Sequence, residues 1–329
     1  MCCAIGVSHG RWALCRNLDL EYSIDRGLLT FCEGERLELD GVGAVKWLYG
    51  AVGVGISRKA GASPLLFDGV NGVGLAIAAL NFPGCAVYAP KDGGGESSLN
   101  MSITHGTDDA RSRNIPASGS IPSYAVIPYI LATCATVGEA EDALRGLAVN
   151  DGAVSDDLPS TPLHWFIFDG RESLTVEPLA EGLSLRRNAT AVLTNSPDLD
   201  GQLRAMAEGC PGGDGISATA VGQGNMPGGV SDKARFYTNA GDYSSEARFC
   251  RGRELLSLAT AQDAPLLDTG DMLRLCSAMA IPYGTHPKSK GFLYTRYSAV
   301  MMVDRPEYLL LDYESCSLRR RLVPHAPTG

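Results

Sequence analysis

The sequence has no run of about 18 uninterrupted apolar residues, so it offers no segment for a membrane-spanning helix. No basic leader followed by a long apolar stretch begins the chain, and we therefore expect no signal peptide and a cytoplasmic protein. Basic residues are scarce, since 28 Lys and Arg stand against 37 Asp and Glu, which gives a formal net charge of −9. A nucleic-acid surface needs a basic patch, so we expect neither a nucleic acid nor a membrane as partner.

Motifs for metals and cofactors are also missing. None of the 10 cysteines forms a C-x-x-C pair, and the 5 histidines do not cluster with them, which argues against a structural zinc site. The 39 glycines form no G-x-G-x-x-G and no Walker pattern, so we predict no nucleotide cofactor. Scattered thiols in a chain of 329 residues are typical of a reduced compartment rather than of a disulfide scaffold.

The first residues, Met1-Cys2-Cys3, carry the strongest chemical signal in the sequence. Removal of Met1 would leave Cys2 with a thiol and a free α-amine on one residue, which is a nucleophile with its own base. An unperturbed α-amine has a pKa of about 7.7–8.0, so near neutrality a useful fraction can accept the thiol proton. The alternative is a small buried cysteine with no chemical role.

Two apolar segments, residues 2–7 and 12–18, flank a short polar turn with a glycine and predict a β-hairpin. This hairpin would bring Cys2 close to Arg16 and Asp19, where the guanidinium would favour the thiolate. A surface ion pair of little consequence is the other interpretation of these two charges. Because side chains alternate along a strand, we expect Cys3 to point to the opposite face, buried and inert.

Further along the chain the patterns predict both helices and strands. Residues 122–147 read as mainly helical, with Pro128 as a helix start and Gly138 as a break. Helices are also predicted over residues 244–261 and 271–280, and strands over 163–168, 173–176, 292–302 and 308–313. Strands at both ends with helices between them fit an α+β sandwich. Residues 91–120 are rich in Gly, Ser and Asp and predict a long loop that could overhang a substrate site.

Five blocks of the sequence, taken together and in order, resemble the choloylglycine hydrolases, the family of bile salt hydrolases and penicillin V acylases. The first block is Met1-Cys2 followed by Arg16-Asn17-Leu18-Asp19. The other four are residues 74–84 (GLAIAALNFPG), 163–170 (LHWFIFDG), 193–197 (LTNSP) and 241–251 (GDYSSEARFCR). No single block would suffice, but the set spans most of the chain.

The resemblance implies one N-terminal nucleophile hydrolase domain over residues 1–329, folded as an αββα four-layer sandwich and assembled as a homotetramer. Residues 210–239 are similar to the assembly loop of the family. The resemblance implies that Cys2 is the nucleophile and that Arg16 and Asp19 position it. It also implies an oxyanion hole formed by the Asn81 backbone N–H and the Asn195 side-chain amide, and it implies that Arg248 completes the polar cluster around the thiol.

Further expectations concern the substrate contacts, the cofactors and two residues near the catalytic set. Leu18 and Asn81 are expected to contact the substrate, and no metal or other cofactor is implied. His164 is expected to be a sheet residue rather than a base, because the α-amine already has that role. Arg235 lies in a similar pattern and is the alternative to Arg248.

The activity implied by the resemblance is that of a bile salt hydrolase, which cleaves glycine- or taurine-conjugated bile acids through a thioester. Asn81 favours this substrate, since penicillin V acylases commonly carry Tyr at the matching position. The nearer alternative is the same chemistry on penicillin V or on another acylated amine, such as an acyl-homoserine lactone. The farther alternative is a ligand-binding homologue without turnover.

Overall fold

A computed structural model describes residues 1–58, 63–90, 119–155, 158–209, 242–288 and 291–324. The predicted assembly loop over residues 210–239, the alternative residue Arg235, and all but the last two residues of the predicted loop over 91–120 lie outside these ranges.

The described residues form strands in three stretches, interrupted by helices. The strands are β1 (Cys2–His9), β2 (Arg11–Leu20), β3 (Gly27–Phe31), β4 (Arg36–Leu39), β5 (Gly43–Lys46), β6 (Ala51–Ile56), β7 (Leu65–Asn71), β8 (Ala76–Asn81), β9 (Ser120–Pro122), β10 (Ala148–Asn150), β11 (Leu163–Phe168), β12 (Ser173–Leu179), β13 (Gly182–Arg187), β14 (Val192–Leu193), β15 (Pro287–Lys288), β16 (Gly291–Phe292), β17 (Tyr294–Met302), β18 (Glu307–Asp312) and β19 (Ser317–Leu322). The helices are α1 (Val126–Thr133), α2 (Val137–Leu144), α3 (Leu199–Ala207), α4 (Ser245–Ala259) and α5 (Thr269–Ser277), with a 3₁₀ turn, Ser123–Ala125, before α1. Among the described helices, none is long and apolar enough to cross a membrane.

Two antiparallel sheets form the centre of the molecule. The six-stranded sheet has the order β14-β1-β2-β17-β18-β19, and the seven-stranded sheet has the order β13-β12-β11-β8-β7-β6-β3. Three smaller pairs, β4–β5, β9–β10 and β15–β16, lie outside them. The long N-terminal hairpin therefore lies inside the six-stranded sheet, because β14 pairs with the outer edge of β1 and β17 pairs with the outer edge of β2.

Three apolar clusters define the layers. One contains Ala4 from the six-stranded sheet and Phe166 from the seven-stranded sheet, so it lies between the sheets. A second joins the other face of the six-stranded sheet to α3, α4 and α5, and includes Phe249. The third joins the seven-stranded sheet to α1 and α2. The order helix, sheet, sheet, helix confirms the predicted αββα sandwich.

The N-terminal hairpin is longer than its sequence pattern predicted. Strand β1 continues to His9 and β2 starts at Arg11, so the turn contracts to Gly10, whose φ of 82° favours glycine. A Cβ there would also lie 2.7 Å from backbone atoms of Leu267. Along β1, Cys2 and Ala4 face the core between the sheets, and Cys3 faces the helices.

Helix boundaries follow the capping residues. Ser244 caps α4 through its side chain, which confirms the predicted start. Helix α5 begins two residues before the predicted position, because Asp268 is its N-cap and Asp271 completes a capping box. The prediction that Gly138 breaks the helical region is wrong.

The break lies instead between α1 and α2, at residues 134–136, where Thr136 caps α2 and accepts a hydrogen bond from the Glu139 N–H. Gly138 falls within the first turn of α2. Pro128 lies in the first turn of α1, where a missing N–H costs little, in line with its predicted place near a helix start.

Candidate active site

Cys2 begins β1 and is buried, with 3% of its surface exposed. Its Sγ accepts a hydrogen bond from Arg16 Nη2 at 3.9 Å. Its backbone N–H donates to Asn195 Oδ1 at 2.7 Å, and its carbonyl accepts from Arg248 Nη1 at 2.5 Å. Three of the predicted site residues therefore touch Cys2 directly, although two of them are 193 and 246 positions away in the sequence.

Arg16 projects from β2 into the core between the sheets and is 1% exposed. Besides Cys2, its Nη2 donates to the Ala79 carbonyl at 3.0 Å, and its Nη1 donates to Asp68 Oδ2 at 2.9 Å and to the Tyr297 hydroxyl. Burial alone would lower the pKa of Arg16, but Tyr297 and Asp68 outweigh burial and raise it. The guanidinium therefore remains charged beside the thiol.

Asp19 holds the chain terminus through its backbone. Its N–H donates to the Met1 carbonyl at 3.0 Å, and its carbonyl accepts from the Met1 ammonium at 2.9 Å. Its carboxylate accepts from Thr295 Oγ1 at 2.6 Å through Oδ1. The buried Oδ2 lies 3.8 Å from Arg248 Nη1 and has no hydrogen-bond partner among the described residues.

Asn195 is placed by the strand that precedes it, since β14 pairs with β1. Its Oδ1 accepts from Arg248 Nη2 at 2.7 Å as well as from Cys2, and its Nδ2 donates to the Asn81 carbonyl at 2.6 Å. Its own backbone is fixed by Ser245 Oγ, which accepts from the Asn195 N–H, and by Gln202 Nε2, which donates to its carbonyl. The amide of Asn195 is thus held on both sides.

Arg248 lies in the first turns of α4 and is fully buried. Its Nε donates to the Tyr243 carbonyl at 3.0 Å, while its two other nitrogens reach Cys2 and Asn195. The structure therefore brings Arg248 into the cluster that the family resemblance implied.

The backbone N–H of Asn81 points toward the same cluster. Asn81 ends β8, and the next residue, Phe82, donates its N–H to the Pro162 carbonyl at 2.8 Å. Backbone groups alternate in direction along a strand, so the N–H and C=O of Asn81 point the other way. That is the side on which the Ala79 carbonyl accepts from Arg16 and the Asn81 carbonyl accepts from Asn195.

A cavity of about 270 Å³ opens from Cys2 and Arg16. Leu18 lines it, as predicted for a substrate contact, and Asn81 and Met1 lie on its wall. The remaining lining is largely apolar and comes from both sheets, α1 and the segment before β11, including Leu20, Tyr22, Ile24, Leu65, Leu66, Phe67, Tyr124, Ile127, Val154, Leu158, Leu163, Trp165 and Leu293. The polar cluster and the apolar cavity meet at the thiol.

His164 is fully buried in β11 and both ring nitrogens have partners. Nε2 lies 2.8 Å from the Thr194 carbonyl and Nδ1 lies 3.3 Å from Glu177 Oε1, while the ring stacks on Phe82 at 4.1 Å. These contacts agree with the expected sheet role, because His164 supports the residue that precedes Asn195.

Cys3 lies on the face of β1 opposite to Cys2. It is 2% exposed, and burial, followed by the charge of Asp19, raises the pKa of its thiol. The thiol therefore stays protonated at neutral pH, which agrees with the expectation that Cys3 is inert. Eight cysteines in the described ranges have free thiols.

Asp68, Tyr297 and Thr295 contact predicted site residues, and Tyr308 contacts Asp68, yet none of the four was predicted from the sequence. Asp68 is the one charged residue of β7, between Phe67 and Gly69, and that isolated charge was the available signal. No local pattern marks the two tyrosines. Within the parts of the chain that the structure describes, no group of three or more His, Cys, Asp or Glu side chains is arranged to hold a metal.

Comparisons with known proteins agree with this geometry. The family of linear amide C–N hydrolases described as the choloylglycine hydrolase family matches residues 2–106 and 92–321. A bile salt hydrolase/transferase of Clostridium perfringens is 26% identical over 95% of this chain and 88% of its own length. One of Bifidobacterium longum subsp. longum is 30% identical over 73% of this chain and 74% of its own length.

Solved structures share the fold. The C2A mutant of the conjugated bile acid hydrolase from Clostridium perfringens has a TM-score of 0.77 and 22% identity, over 98% of this chain and 92% of that one. Penicillin V acylase from Agrobacterium tumefaciens has a TM-score of 0.63 and 20% identity, over 98% of this chain and 86% of that one. With an N-terminal nucleophile hydrolase fold and a family match over nearly its whole length, this chain belongs to the choloylglycine hydrolase family and is an amidohydrolase of linear C–N bonds.

Proposed function

We propose that this enzyme is a bile salt hydrolase that cleaves the amide bond between a bile acid and glycine or taurine. The observation that carries the proposal is a largely apolar cavity that ends at a buried thiol surrounded by hydrogen-bond donors. Small-molecule sites usually measure about 300–1,000 Å³. Removal of Met1, which lines the cavity, would enlarge the present volume of about 270 Å³ toward that range.

The nucleophile in this proposal is the Cys2 thiol, with the α-amine that Met1 removal exposes as its base. The Cys2 nitrogen already lies 2.7 Å from Asn195 Oδ1. After Met1 removal one N–H of the amine keeps this acceptor, and the lone pair of the amine nitrogen is free to take the thiol proton. The Arg16 guanidinium, whose Nη2 lies 3.9 Å from Sγ, favours the thiolate. Asp19 Oδ2, which has no hydrogen-bond partner among the described residues, is the proposed acceptor for the amine once the amine has taken the proton.

The sulfur would then attack the amide carbonyl, and negative charge would develop on its oxygen. The Asn81 N–H and Asn195 Nδ2 are the proposed donors to that oxygen. The tetrahedral intermediate collapses when the C–N bond breaks, and the amine nitrogen of Cys2 passes its extra proton to the leaving glycine or taurine. Water attacks the resulting thioester, gives its proton to the same amine, and releases the bile acid and the thiol.

The names of the relatives, both bile salt hydrolase/transferases, support the substrate assignment. Asn81 also supports it, because penicillin V acylases commonly carry Tyr at the matching position. Penicillin V is the second candidate, because a penicillin V acylase shares the fold. For the whole protein we also propose a cytoplasmic location, as expected in the sequence analysis, and a homotetramer, which the family resemblance alone supports.

The test measures hydrolysis of glycocholate, taurocholate and penicillin V by protein whose mass shows that Met1 has been removed. We expect the two bile salts to be cleaved with the higher kcat/KM, and faster cleavage of penicillin V would transfer the assignment to that substrate. Cys2→Ala should abolish turnover, whereas Cys3→Ser, on the opposite face of β1, should keep most of it. Full activity of Cys2→Ala would refute the proposed nucleophile.

A further inference from the structure

Asp68 joins the two central sheets directly behind the nucleophile. It lies on β7 of the seven-stranded sheet and is fully buried. Its Oδ2 accepts from Arg16 Nη1 at 2.9 Å and from the Tyr297 hydroxyl at 2.5 Å, and its Oδ1 accepts from the Tyr308 hydroxyl. All three donors come from the six-stranded sheet and are themselves buried.

Arg16 depends on this carboxylate for one end of its guanidinium. Its Nε is buried and has no hydrogen-bond partner in the described part of the chain. Its Nη2 donates to the Ala79 carbonyl and points to Cys2 Sγ, whereas the partners of Nη1 within the described ranges are Asp68 and Tyr297. Because a guanidinium is planar and rigid, the position of Nη1 fixes the direction in which Nη2 points.

The charge of Asp68 matters as much as its hydrogen bonds. A buried guanidinium without a counter-ion is strongly destabilised, and it escapes to water if a route exists. Such a route is present, because the cavity of about 270 Å³ that opens at Cys2 is lined by Arg16 as well. Without Asp68, Arg16 would turn toward that cavity and leave the thiol.

We infer that Asp68 is a positioning residue, which with the Tyr297 and Tyr308 hydroxyls holds Arg16 against the Cys2 thiol. The inference rests on the proposed role of Cys2 as nucleophile, and it assigns to Asp68 a part in catalysis that is exerted through Arg16. Asp68 itself does not touch the substrate in this arrangement.

The experiment is a double-mutant cycle read by alkylation of Cys2 with iodoacetamide at pH 7, a readout that needs no substrate. Cleavage of glycocholate is followed in parallel to give kcat and KM. Asp68→Ala should slow alkylation about tenfold, because the thiolate loses its neighbouring cation. In an Arg16→Leu background the same change should have no further effect, since the residue through which Asp68 acts is gone.

Equal slowing in both backgrounds, or no slowing in either, would overturn the inference.

If Asp68→Ala does not fold, Tyr297→Phe and Tyr308→Phe form a matched pair. Tyr297 contacts both Arg16 and Asp68 and should give the larger loss in alkylation rate, whereas Tyr308 contacts Asp68 alone. A loss at Tyr308 that equals or exceeds the loss at Tyr297 would refute the proposal. If the alkylation rates follow the expected dependence on Asp68 and Arg16 but the wild-type protein cleaves no bile salt, the substrate assignment is refuted and the inference stands.

Discussion

Asn195 uses both ends of its side-chain amide in the site. Its Oδ1 accepts from Cys2 and from Arg248, and its Nδ2 donates to the Asn81 carbonyl while one more N–H remains for a substrate oxygen. The orientation of the amide is therefore fixed before a substrate binds, which is the condition under which an oxyanion donor is most effective.

We expect Asn195→Ala to lower kcat about 10²–10³-fold, as the loss of one oxyanion-hole donor typically does. Steady-state hydrolysis of glycocholate measures this loss. Ser196→Ala is the matched control, since the neighbouring hydroxyl donates to the Pro83 carbonyl at an exposed position and its loss should leave kcat near wild type. A folded Asn195→Ala enzyme within about threefold of wild type would contradict the role assigned to this amide.

Among the elements, β7 and β8 create the opening in which Arg16 sits. They pair only between residues 68–70 and 76–78, and beyond that point they separate. The Ala79 carbonyl, which would otherwise face a neighbouring strand, accepts from Arg16 instead. The end of the pairing between two strands thus supplies both the acceptor for Arg16 and the free direction of the Asn81 N–H.

Helix α5 covers the outer face of the six-stranded sheet and depends on its N-terminal capping box. Asp268 accepts from the Asp271 N–H at 2.9 Å, and the Asp271 carboxylate accepts from the Asp268 N–H at 3.0 Å. The last turn of the helix reaches β2, where the Cys276 carbonyl accepts from Asn17 Nδ2. The cap therefore contributes to the stability of the hairpin that carries the site.

Asp268→Ala should lower the free energy of unfolding by about 0.5–2 kcal/mol, the usual cost of losing an N-cap. Urea unfolding followed by circular dichroism measures the change. Asp263→Ala, at an exposed turn position, is the control and should change the free energy of unfolding by less than about 0.5 kcal/mol. An equal effect of the two substitutions would show that the cap contributes nothing.

At the scale of the whole molecule, the two sheets share one apolar core. Phe166 of the seven-stranded sheet is fully buried in the same cluster as Leu14, Tyr297 and Met301 of the six-stranded sheet. Neither sheet can lose this contact without exposing the apolar face of the other. The shared core supports the prediction of a single domain, which stays a prediction.

Phe166→Ala should therefore destabilise the whole protein, by about 3–5 kcal/mol for a large core residue. Fluorescence and far-ultraviolet circular dichroism, recorded during urea unfolding, should give coincident transitions for wild type and variant. Leu266→Ala, which is 73% exposed in wild type, should shift neither curve. Two separate transitions would contradict the single-domain prediction.

Elements with a local signal were predicted closely. The alternation of the first strand placed Cys2 and Cys3 on opposite faces, and Ser244 marked the start of α4. The central strands β6 and β7 were missed, because they are buried on both faces and show no alternation of polar and apolar residues.

Residue patterns alone pointed to Cys2 as the proposed nucleophile with Arg16 and Asp19 beside it, and the five family blocks together indicated the fold. No sequence pattern indicated that Asp68 lies behind Arg16, that β7 and β8 separate beside Ala79, or which groups hold Asn195; the packing of the sheets sets all three. The physical reason is that strand order brings together residues from distant parts of the chain. A local pattern records which face of a strand is buried, but not which strand lies beside it.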